Sequence, residues 1–232
     1  MIHPRLRHAA VCDEQFAGVT YCIEGELVPV LRVTLDRTPI FFDHHILLWK
    51  NASTRIGAKT GRGFLRRAMG RMPLLLCTAT GPGEIALSRD GTGQIVPIHL
   101  QPGQAVETRK HQYLAATHRV AYGIRRVKGV RNWIMGDNAL FMDRFAAEGE
   151  PGIVWLHGYG NVFEVTLADQ EALDVEPGAW LYKDVSVTMT TIVQNLSAGL
   201  LASPTSFFWN RLTGPGRVGL QSLRVPAGTG GT

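Results

Sequence analysis

The sequence predicts an all-β fold, in which a β-sandwich or double-stranded β-helix-like body is built from three divergent internal repeats. The first observation is the content of 26 glycines and 12 prolines in 232 residues, which is typical of a chain with many turns. The second is the alternation of apolar and polar residues over short runs, as in strands with one buried face. The third is a phrase with a proline-glycine step followed by a strand pattern, which occurs three times.

The repeated phrase divides the chain into three related units. Gly83 aligns with Gly152, and after a two-residue adjustment Leu100 aligns with Leu167. The sequence therefore predicts an N-terminal extension over 1–17 and a single β domain over 18–224. The domain comprises units at about 18–82, 83–151 and 152–224, and a flexible glycine-rich tail follows at 225–232. A final strand pattern over 217–223 remains at the end of the third unit, and we expect this strand to complete the three-unit β body.

Each unit shows strands separated by turn signals. The apolar alternation is clearest at Ile85, Leu87, Ile95 and Ile98, and again at Val154, Leu156, Val165 and Leu167. Proline fixes its φ angle and glycine accepts a positive one, so each proline-glycine step predicts a turn. Asp90-Gly91 and Tyr159-Gly160 predict β-hairpins. Trp155 and Trp180 lie within strand patterns, and we expect both in the core.

One segment in each unit interrupts the strand pattern. These segments are short, bounded by glycine or polar residues, and compatible with helical spacing at 61–70, 129–136 and 195–202. We interpret them as short helical or hairpin inserts. If the units are related by a threefold axis, the inserts should gather at one end of the body.

Charge is unevenly distributed along a chain whose formal net charge is +5. No Asp or Glu occurs from His44 to Gly83, and this stretch contains seven Lys and Arg residues: Lys50, Arg55, Lys59, Arg62, Arg66, Arg67 and Arg71. A second basic run spans 119–131, whereas 169–184 is acidic. Such segregation indicates an anionic partner or pairing between copies of the chain.

No apolar run approaches the roughly 18–20 residues that span a bilayer, and the first residues lack the apolar core of a secretory signal. We therefore expect a cytoplasmic protein. The three cysteines, Cys12, Cys22 and Cys77, lack a Cys-x-x-Cys spacing, which argues against a disulfide framework or a zinc site. We expect them to be small buried apolar residues.

Asp43, His44 and His45 form the strongest candidate for metal or acid–base chemistry. Adjacent residues on a strand point to opposite faces, so we expect that the two histidines do not share one ion. The segment "GAKTGRG" (57–63) departs from the phosphate-binding loop, and no Gly-x-Ser-x-Gly motif occurs. The sequence thus predicts no catalytic residue, no metal site, no cofactor and no enzyme activity.

Five ordered phrases resemble the bacterial branch of the altered-inheritance-of-mitochondria family, long catalogued as a domain of unknown function. They are "FFDHHILLWKN" (41–51), "GPGEIALSRDGTG" (81–93), "MDRFAAEGEPGIVWLHGYGNVFE" (142–164), "VEPGAWLYKDVSVTM" (175–189) and "LTGPGRVGLQSL" (212–223). The resemblance implies a fold similar to the tryptophan RNA-binding attenuation protein and a homo-oligomer, with a trimer favoured. A mitochondrial relative is tied to inner-membrane organisation, and no enzyme activity is attached to the family. Asp43-His44-His45 stands where the repeat predicts a step like Glu176-Pro177-Gly178.

Together these features predict a non-enzymatic scaffold or interaction protein that presents basic and apolar surfaces to a membrane surface or an acidic protein partner. The residues expected to bind that partner are Arg62, Phe64, Arg66, Arg67, Arg71, Arg125, Arg126, Lys128 and Trp133. One alternative is a nucleic-acid-binding protein that uses the basic loops, with tryptophan and phenylalanine side chains stacking on bases. Another is a cupin-like protein that binds a small ligand or metal in a deep pocket containing His44 or His45.

Overall fold

A computed structural model describes residues 2, 4–7, 11–58, 76–126, 141–193 and 208–224 of the chain. The described residues form 21 strands, and the all-β prediction is confirmed. The predicted inserts at 61–70, 129–136 and 195–202 lie outside the described residues, as does the tail at 225–232. None of the described segments forms a helix with the length and apolar character needed to cross a bilayer.

Within each described stretch of the chain, the strands follow one another with short connections. Their bounds are β1 Arg5–Leu6, β2 Val11–Phe16, β3 Val19–Glu24, β4 Val30–Leu35, β5 Ile40–Asp43, β6 Leu47–Lys50, β7 Arg55–Ala58, β8 Leu76–Thr80, β9 Gly83–Leu87, β10 Gly93–Leu100, β11 Ala105–Arg109, β12 Tyr113–Thr117, β13 Val120–Arg126, β14 Phe141–Ala147, β15 Gly152–Tyr159, β16 Val162–Leu167, β17 Ala172–Val175, β18 Trp180–Asp184, β19 Thr188–Val193, β20 Phe208–Thr213 and β21 Gly216–Gln221.

The strands form four antiparallel sheets. A seven-stranded sheet has the order β1-β16-β21-β18-β11-β14-β13, and a six-stranded sheet has the order β10-β15-β12-β5-β8-β7. A five-stranded sheet, β2-β3-β4-β9-β6, and a three-stranded sheet, β17-β20-β19, complete the body. Within residues 1–17, β1 pairs with β16 and β2 pairs with β3.

Two kinds of three-strand set recur in these sheets. Hairpin sets join a short strand to a hairpin in the orders β5-β8-β7, β11-β14-β13 and β17-β20-β19. Bridging sets have the orders β4-β9-β6, β10-β15-β12 and β16-β21-β18. In the two largest sheets a bridging set joins a hairpin set, because β12 pairs with β5 and β18 pairs with β11. That the three units descend from one ancestor stays a prediction of the sequence.

The bridging sets share an irregularity of register. In each set the pairing of the last two strands shifts by one residue at the corresponding place. At the first pair after the shift, a large side chain lies opposite a small residue. A large side chain opposite a small one lets a sheet pack without voids or clashes. The opposed pairs are Trp49 and Ala86, Trp155 and Ala115, and Tyr182 and Gly219.

The proline-glycine steps lie in the turns that the sequence predicts. The step at 81–83 separates β8 from β9, and the step at 214–216 separates β20 from β21. After each of these steps, and after the step at 151–152 before β15, a polar side chain at or just beyond the end of an earlier strand accepts a hydrogen bond from a backbone N–H near the start of the following strand. The acceptors are Asn51 Oδ1, 2.5 Å from Glu84 N, Thr117 Oγ1, 3.1 Å from Ile153 N, and Asp184 Oδ2, 2.8 Å from Arg217 N.

The hairpin predictions at Asp90-Gly91 and Tyr159-Gly160 are wrong. Both glycines have positive φ, 147° at Gly91 and 68° at Gly160, so a turn does form at each position. However, β9 pairs with β4 and β6, and β10 pairs with β15. Each of these turns carries the chain from one sheet to another, and the strands on its two sides find their partners elsewhere.

Apolar side chains from facing sheets form three buried clusters. Trp155 is fully buried in the first cluster, and Trp180 is 1% exposed in the third, so both tryptophans lie in the core as predicted. The second cluster lies around Phe145, whose ring stacks on Tyr113 with 4.8 Å between the ring centroids. Burial of each such side chain contributes about 1.5–3 kcal/mol.

Replacement of Gly219 by alanine should destabilise the protein by about 1–3 kcal/mol, because overpacking forces neighbouring groups to move. A Cβ atom at this position would overlap the ring of Tyr182, which lies across the glycine. Gly123→Ala is the matched control, since no heavy atom lies within 4 Å of a Cβ placed there. Urea denaturation of both variants measures the difference, and equal stability of the two would contradict the packing described here.

Candidate interaction surface

Each of the three hairpin sets holds one of the predicted insert segments, and the first two contain the residues that the sequence singled out for partner binding. The last paired residues before and after these segments are Ala58 and Cys77 on β7 and β8, Arg126 and Phe141 on β13 and β14, and Val193 and Phe208 on β19 and β20. Seven of the predicted partner-binding residues lie outside the described residues: Arg62, Phe64, Arg66, Arg67, Arg71, Lys128 and Trp133. Each segment thus begins and ends at a closed hairpin stem.

The stems themselves carry exposed apolar and basic side chains. On β7 all four residues are exposed, and they include Arg55 and Ile56, the latter with 39% of its surface accessible. On β13, Ile124 is equally exposed and precedes Arg125. Isolated exposed isoleucines are common, but here each lies beside an arginine on a strand that leads into a predicted partner-binding segment.

Arg125 also has a partner within the chain. Its Nη1 lies 2.6 Å from Oε1 of Glu107 on β11, whose side chain is fully buried. Oε2 of the same carboxylate lies 2.7 Å from Nζ of Lys183 on β18. Lys183 is almost completely buried, and its Nζ donates a hydrogen bond of 2.7 Å to the backbone oxygen of Val187.

This network joins β11 to β18, because Glu107 and Lys183 lie directly opposite each other across the two strands. Burial raises the pKa of Glu107, but the neighbouring Lys183 and Arg125 outweigh it and hold that pKa below its ordinary value. Burial lowers the pKa of Lys183, and Glu107 counteracts this effect. A buried charge that lacks its partner is costly, so each group requires the other.

Sequence reasoning missed Glu107 and Lys183. The signal was present as one charged residue before the end of each of two strand patterns, Glu107 in "AVETR" at 105–109 and Lys183 in "WLYKD" at 180–184, where a second charged residue ends the strand. Their pairing follows from the register of β11 on β18, which the sequence alone does not give.

Asp43, His44 and His45 do come together, contrary to the expectation that adjacent residues point apart. The expectation fails because His44 and His45 lie in the turn after β5 and not on the strand. His44 Nδ1 and His45 Nε2 each lie 3.4 Å from a carboxylate oxygen of Asp43, and the imidazole centroids are 4.4 Å apart. The three side chains offer ligand atoms within 4.8 Å of one another.

A guanidinium group already contacts this cluster. Arg89 Nη2 lies 3.4 Å from Asp43 Oδ2 and donates a hydrogen bond of 2.9 Å to the backbone oxygen of Tyr113. Its positive charge opposes binding of a second cation at the same carboxylate. His44 and His45 are 44% and 58% exposed, so they do not lie in the deep pocket that the cupin-like alternative requires.

Two of the three cysteines lie next to each other. Cys12 Sγ is 2.7 Å from Cys22 Sγ, and Cys22 Sγ is 3.3 Å from Glu24 Oε1. Burial, with contributions from Cys12 and Glu24, raises the pKa of the Cys22 thiol to about 12. Cys22 is buried as expected, whereas Cys12 is exposed and Cys77 is only partly buried. The expectation of three buried cysteines is therefore wrong for Cys12 and holds only in part for Cys77.

Replacement of Glu107 by glutamine should destabilise the protein by about 3–5 kcal/mol, because the buried Lys183 ammonium loses its counter-charge. Urea denaturation at pH 7 measures the effect. The double variant Glu107→Leu, Lys183→Met removes both charges and should regain most of the stability. If Glu107→Gln and the double variant were equally unstable, the ion pair would not be the cause.

Protonation of His157 should destabilise the fold below neutral pH. The imidazole is 1% exposed, and burial, aided by the charge of Arg89, lowers its pKa to about 4. Between pH 6.5 and 4 the unfolded chain therefore binds a proton that the folded chain does not, and the free energy of unfolding falls with pH by about 2–3 kcal/mol. Urea denaturation at pH 7.5 and 4.5 should show a smaller decrease in His157→Gln than in the unmodified protein; an identical decrease would contradict this assignment.

Comparisons with known proteins agree with this architecture. The chain is similar to the solved structure of protein SPYM3_0169 from Streptococcus pyogenes, with a TM-score of 0.69 and 18% sequence identity over 89% of this chain and 94% of that one. At this identity the likeness shows the fold alone. No curated protein matches the chain. The family model described as "Mitochondrial biogenesis AIM24" matches residues 21–223, so the chain belongs to the AIM24 (altered inheritance of mitochondria) family.

Proposed function

We propose that this protein is a cytoplasmic, non-enzymatic scaffold whose hairpin-borne segments contact an anionic membrane surface. The observation that carries the proposal is the exposure of Ile56 and Ile124, each beside an arginine, on two hairpin stems. Peripheral membrane binding combines apolar side chains that enter the interface with basic side chains that attract anionic headgroups.

The sequence between the stems of the first hairpin supports the same function. Residues 59–75 contain Lys59, Arg62, Arg66, Arg67 and Arg71 without any acidic residue. Apolar residues such as Phe64 and Leu65 lie between these charges. Each basic side chain near an anionic membrane contributes about 1 kcal/mol, so one such segment provides useful affinity.

The buried charges support a structural use of the body. Glu107 and Lys183 neutralise each other between two strands, and Asp43 contacts Arg89. These groups hold strands and turns together, which suits a rigid support for the exposed hairpins. Binding of nucleic acid through the same basic residues is the alternative that the experiment must separate from membrane contact.

Replacement of Arg62, Arg66 and Arg67 by alanine should weaken binding to anionic vesicles by about one hundredfold, since three favourable charges of about 1 kcal/mol are lost. Co-sedimentation with phosphatidylcholine vesicles, with and without phosphatidylglycerol, measures the binding. The unmodified protein should prefer the anionic vesicles, and the preference should weaken with added salt.

The matched control is Arg5→Ala, Arg37→Ala, Arg224→Ala, which removes the same charge from exposed positions outside the hairpin segments and outside both basic runs. An equal loss in this control would show that net charge alone drives binding. Failure of the unmodified protein to bind anionic vesicles would contradict the proposal, and binding to single-stranded RNA in its place would favour the nucleic-acid alternative.

A further inference from the structure

Strands β6 and β17 lie at sheet edges, whereas the strands that have the same places in the other bridging and hairpin sets lie inside a sheet. Strand β6 pairs with β9, and β17 pairs with β20, but among the described residues no strand pairs with the other side of either. In the two largest sheets the strands at these places are joined, β12 to β5 and β18 to β11. The five-stranded and three-stranded sheets therefore contain a bridging set and a hairpin set like those of the two largest sheets, but β6 and β17 are not paired with each other.

The exposure of side chains marks the same separation. Leu48 and Trp49 on β6 are each 51% exposed. The corresponding residues on the joined strands, Leu181 and Tyr182 on β18, are fully buried. Unpaired strand edges offer free backbone donors and acceptors, and with exposed apolar side chains they favour pairing with another chain.

The register of the joined strands gives the register at the free edges. On β11, Glu107 lies opposite Arg144 of its own hairpin set, and on β17, Asp174 lies opposite Arg211 in the same way. Asp174 therefore occupies in the third hairpin set the position that Glu107 occupies in the second.

The basic partner is found by the same comparison of registers. Lys183 pairs with Val218 one residue after the register shift between β18 and β21, and Lys50 pairs with Ile85 one residue after the shift between β6 and β9. Lys50 therefore has the place of Lys183.

We propose that β6 of one copy of this chain pairs antiparallel with β17 of a second copy, with Lys50 opposite Asp174 and Trp49 opposite Val175. The contact reproduces between chains the pairing of β18 with β11, with its acidic residue on the hairpin set and its basic residue on the bridging set. In one isolated chain Lys50 and Asp174 are exposed, and Asp174 contacts Arg211 at 2.7 Å.

The two surfaces in this contact differ, so the interface is heterologous. Each copy keeps one free β6 edge and one free β17 edge until the chain of copies closes, and the symmetric product is a ring. The proposal concerns the partner that covers the sheet edges and does not depend on membrane binding, since the hairpin segments are separate from β6 and β17.

Disulfide cross-linking tests the register directly. In a background of Cys12→Ser, Cys22→Ala and Cys77→Ala, the variant Lys50→Cys, Asp174→Cys should form covalent multimers on mild oxidation. The control Lys50→Cys, Ala172→Cys places the second thiol two residues along the same exposed strand and should form few. A cross-link confined to single chains would show that the two edges pair within one copy and would overturn the proposal.

Oligomer mass provides a second test in the unmodified background. Light scattering should give a defined multiple of the chain mass, and Lys50→Glu should raise the concentration for half-dissociation by about tenfold or more, because it places like charges opposite each other. Arg37→Glu, at an exposed position away from both edges, should leave the mass unchanged. A monomer at all concentrations, or an oligomer unaffected by Lys50→Glu, would overturn the proposal. Vesicle binding of Lys50→Glu monomers would leave the membrane function standing, so the two proposals fail separately.

Discussion

The pairing of bridging sets with hairpin sets is the interaction on which the body depends. Without the contacts of β12 with β5 and β18 with β11, the two largest sheets would separate into pieces of three or four strands. A small sheet by itself buries little apolar surface, so the joins between sets make the large core possible. The joined sheets keep Phe41, Leu114 and Leu181 fully buried, and the three core clusters form between them.

The two joins are stabilised in different ways. Between β5 and β12 the opposed residues are mainly apolar, with Phe41 opposite Ala116 and Phe42 opposite Ala115. Between β11 and β18 the central pair is Glu107 and Lys183. A one-residue slip of register would move apolar side chains to the wrong face in either join. In the join of β11 to β18 it would also separate two charges, and a charge that stays buried without its partner is costly. We therefore expect the ion pair to contribute specificity of register.

Much of the fold could be predicted from the sequence because its signals are local. Alternation of apolar residues predicts strands, the proline-glycine steps predict turns, and Trp155 and Trp180 lie in strand patterns that become core. Strand partners are not local. Gly91 and Gly160 have the positive φ angles of turn residues, yet these turns connect different sheets, and nothing at either dipeptide distinguishes a corner from a hairpin.

The candidate sites show the same limit. The two histidines after Asp43 converge because β5 ends at that residue. The rule that adjacent side chains point to opposite faces applies only while the strand continues. Glu107 and Lys183 are 76 positions apart (183 − 107), so only the register of two distant strands brings them together. The basic segment at 59–75 is visible in the sequence by composition alone, and the structure adds that it begins and ends on one hairpin stem.

The place where the strand order is interrupted follows from the order of the units along the chain. Strand β5 pairs with β12, and β11 pairs with β18. Each of the first two hairpin sets is therefore paired with the bridging set of the next unit along the chain. The last hairpin set, β17-β20-β19, has no later bridging set, and the first bridging set, β4-β9-β6, has no earlier hairpin set to join. An open chain of three units therefore ends in two complementary edges, one with exposed Lys50 and one with exposed Asp174. Edge pairing between copies satisfies both ends with the same geometry that the chain already uses twice, and no new kind of contact is required.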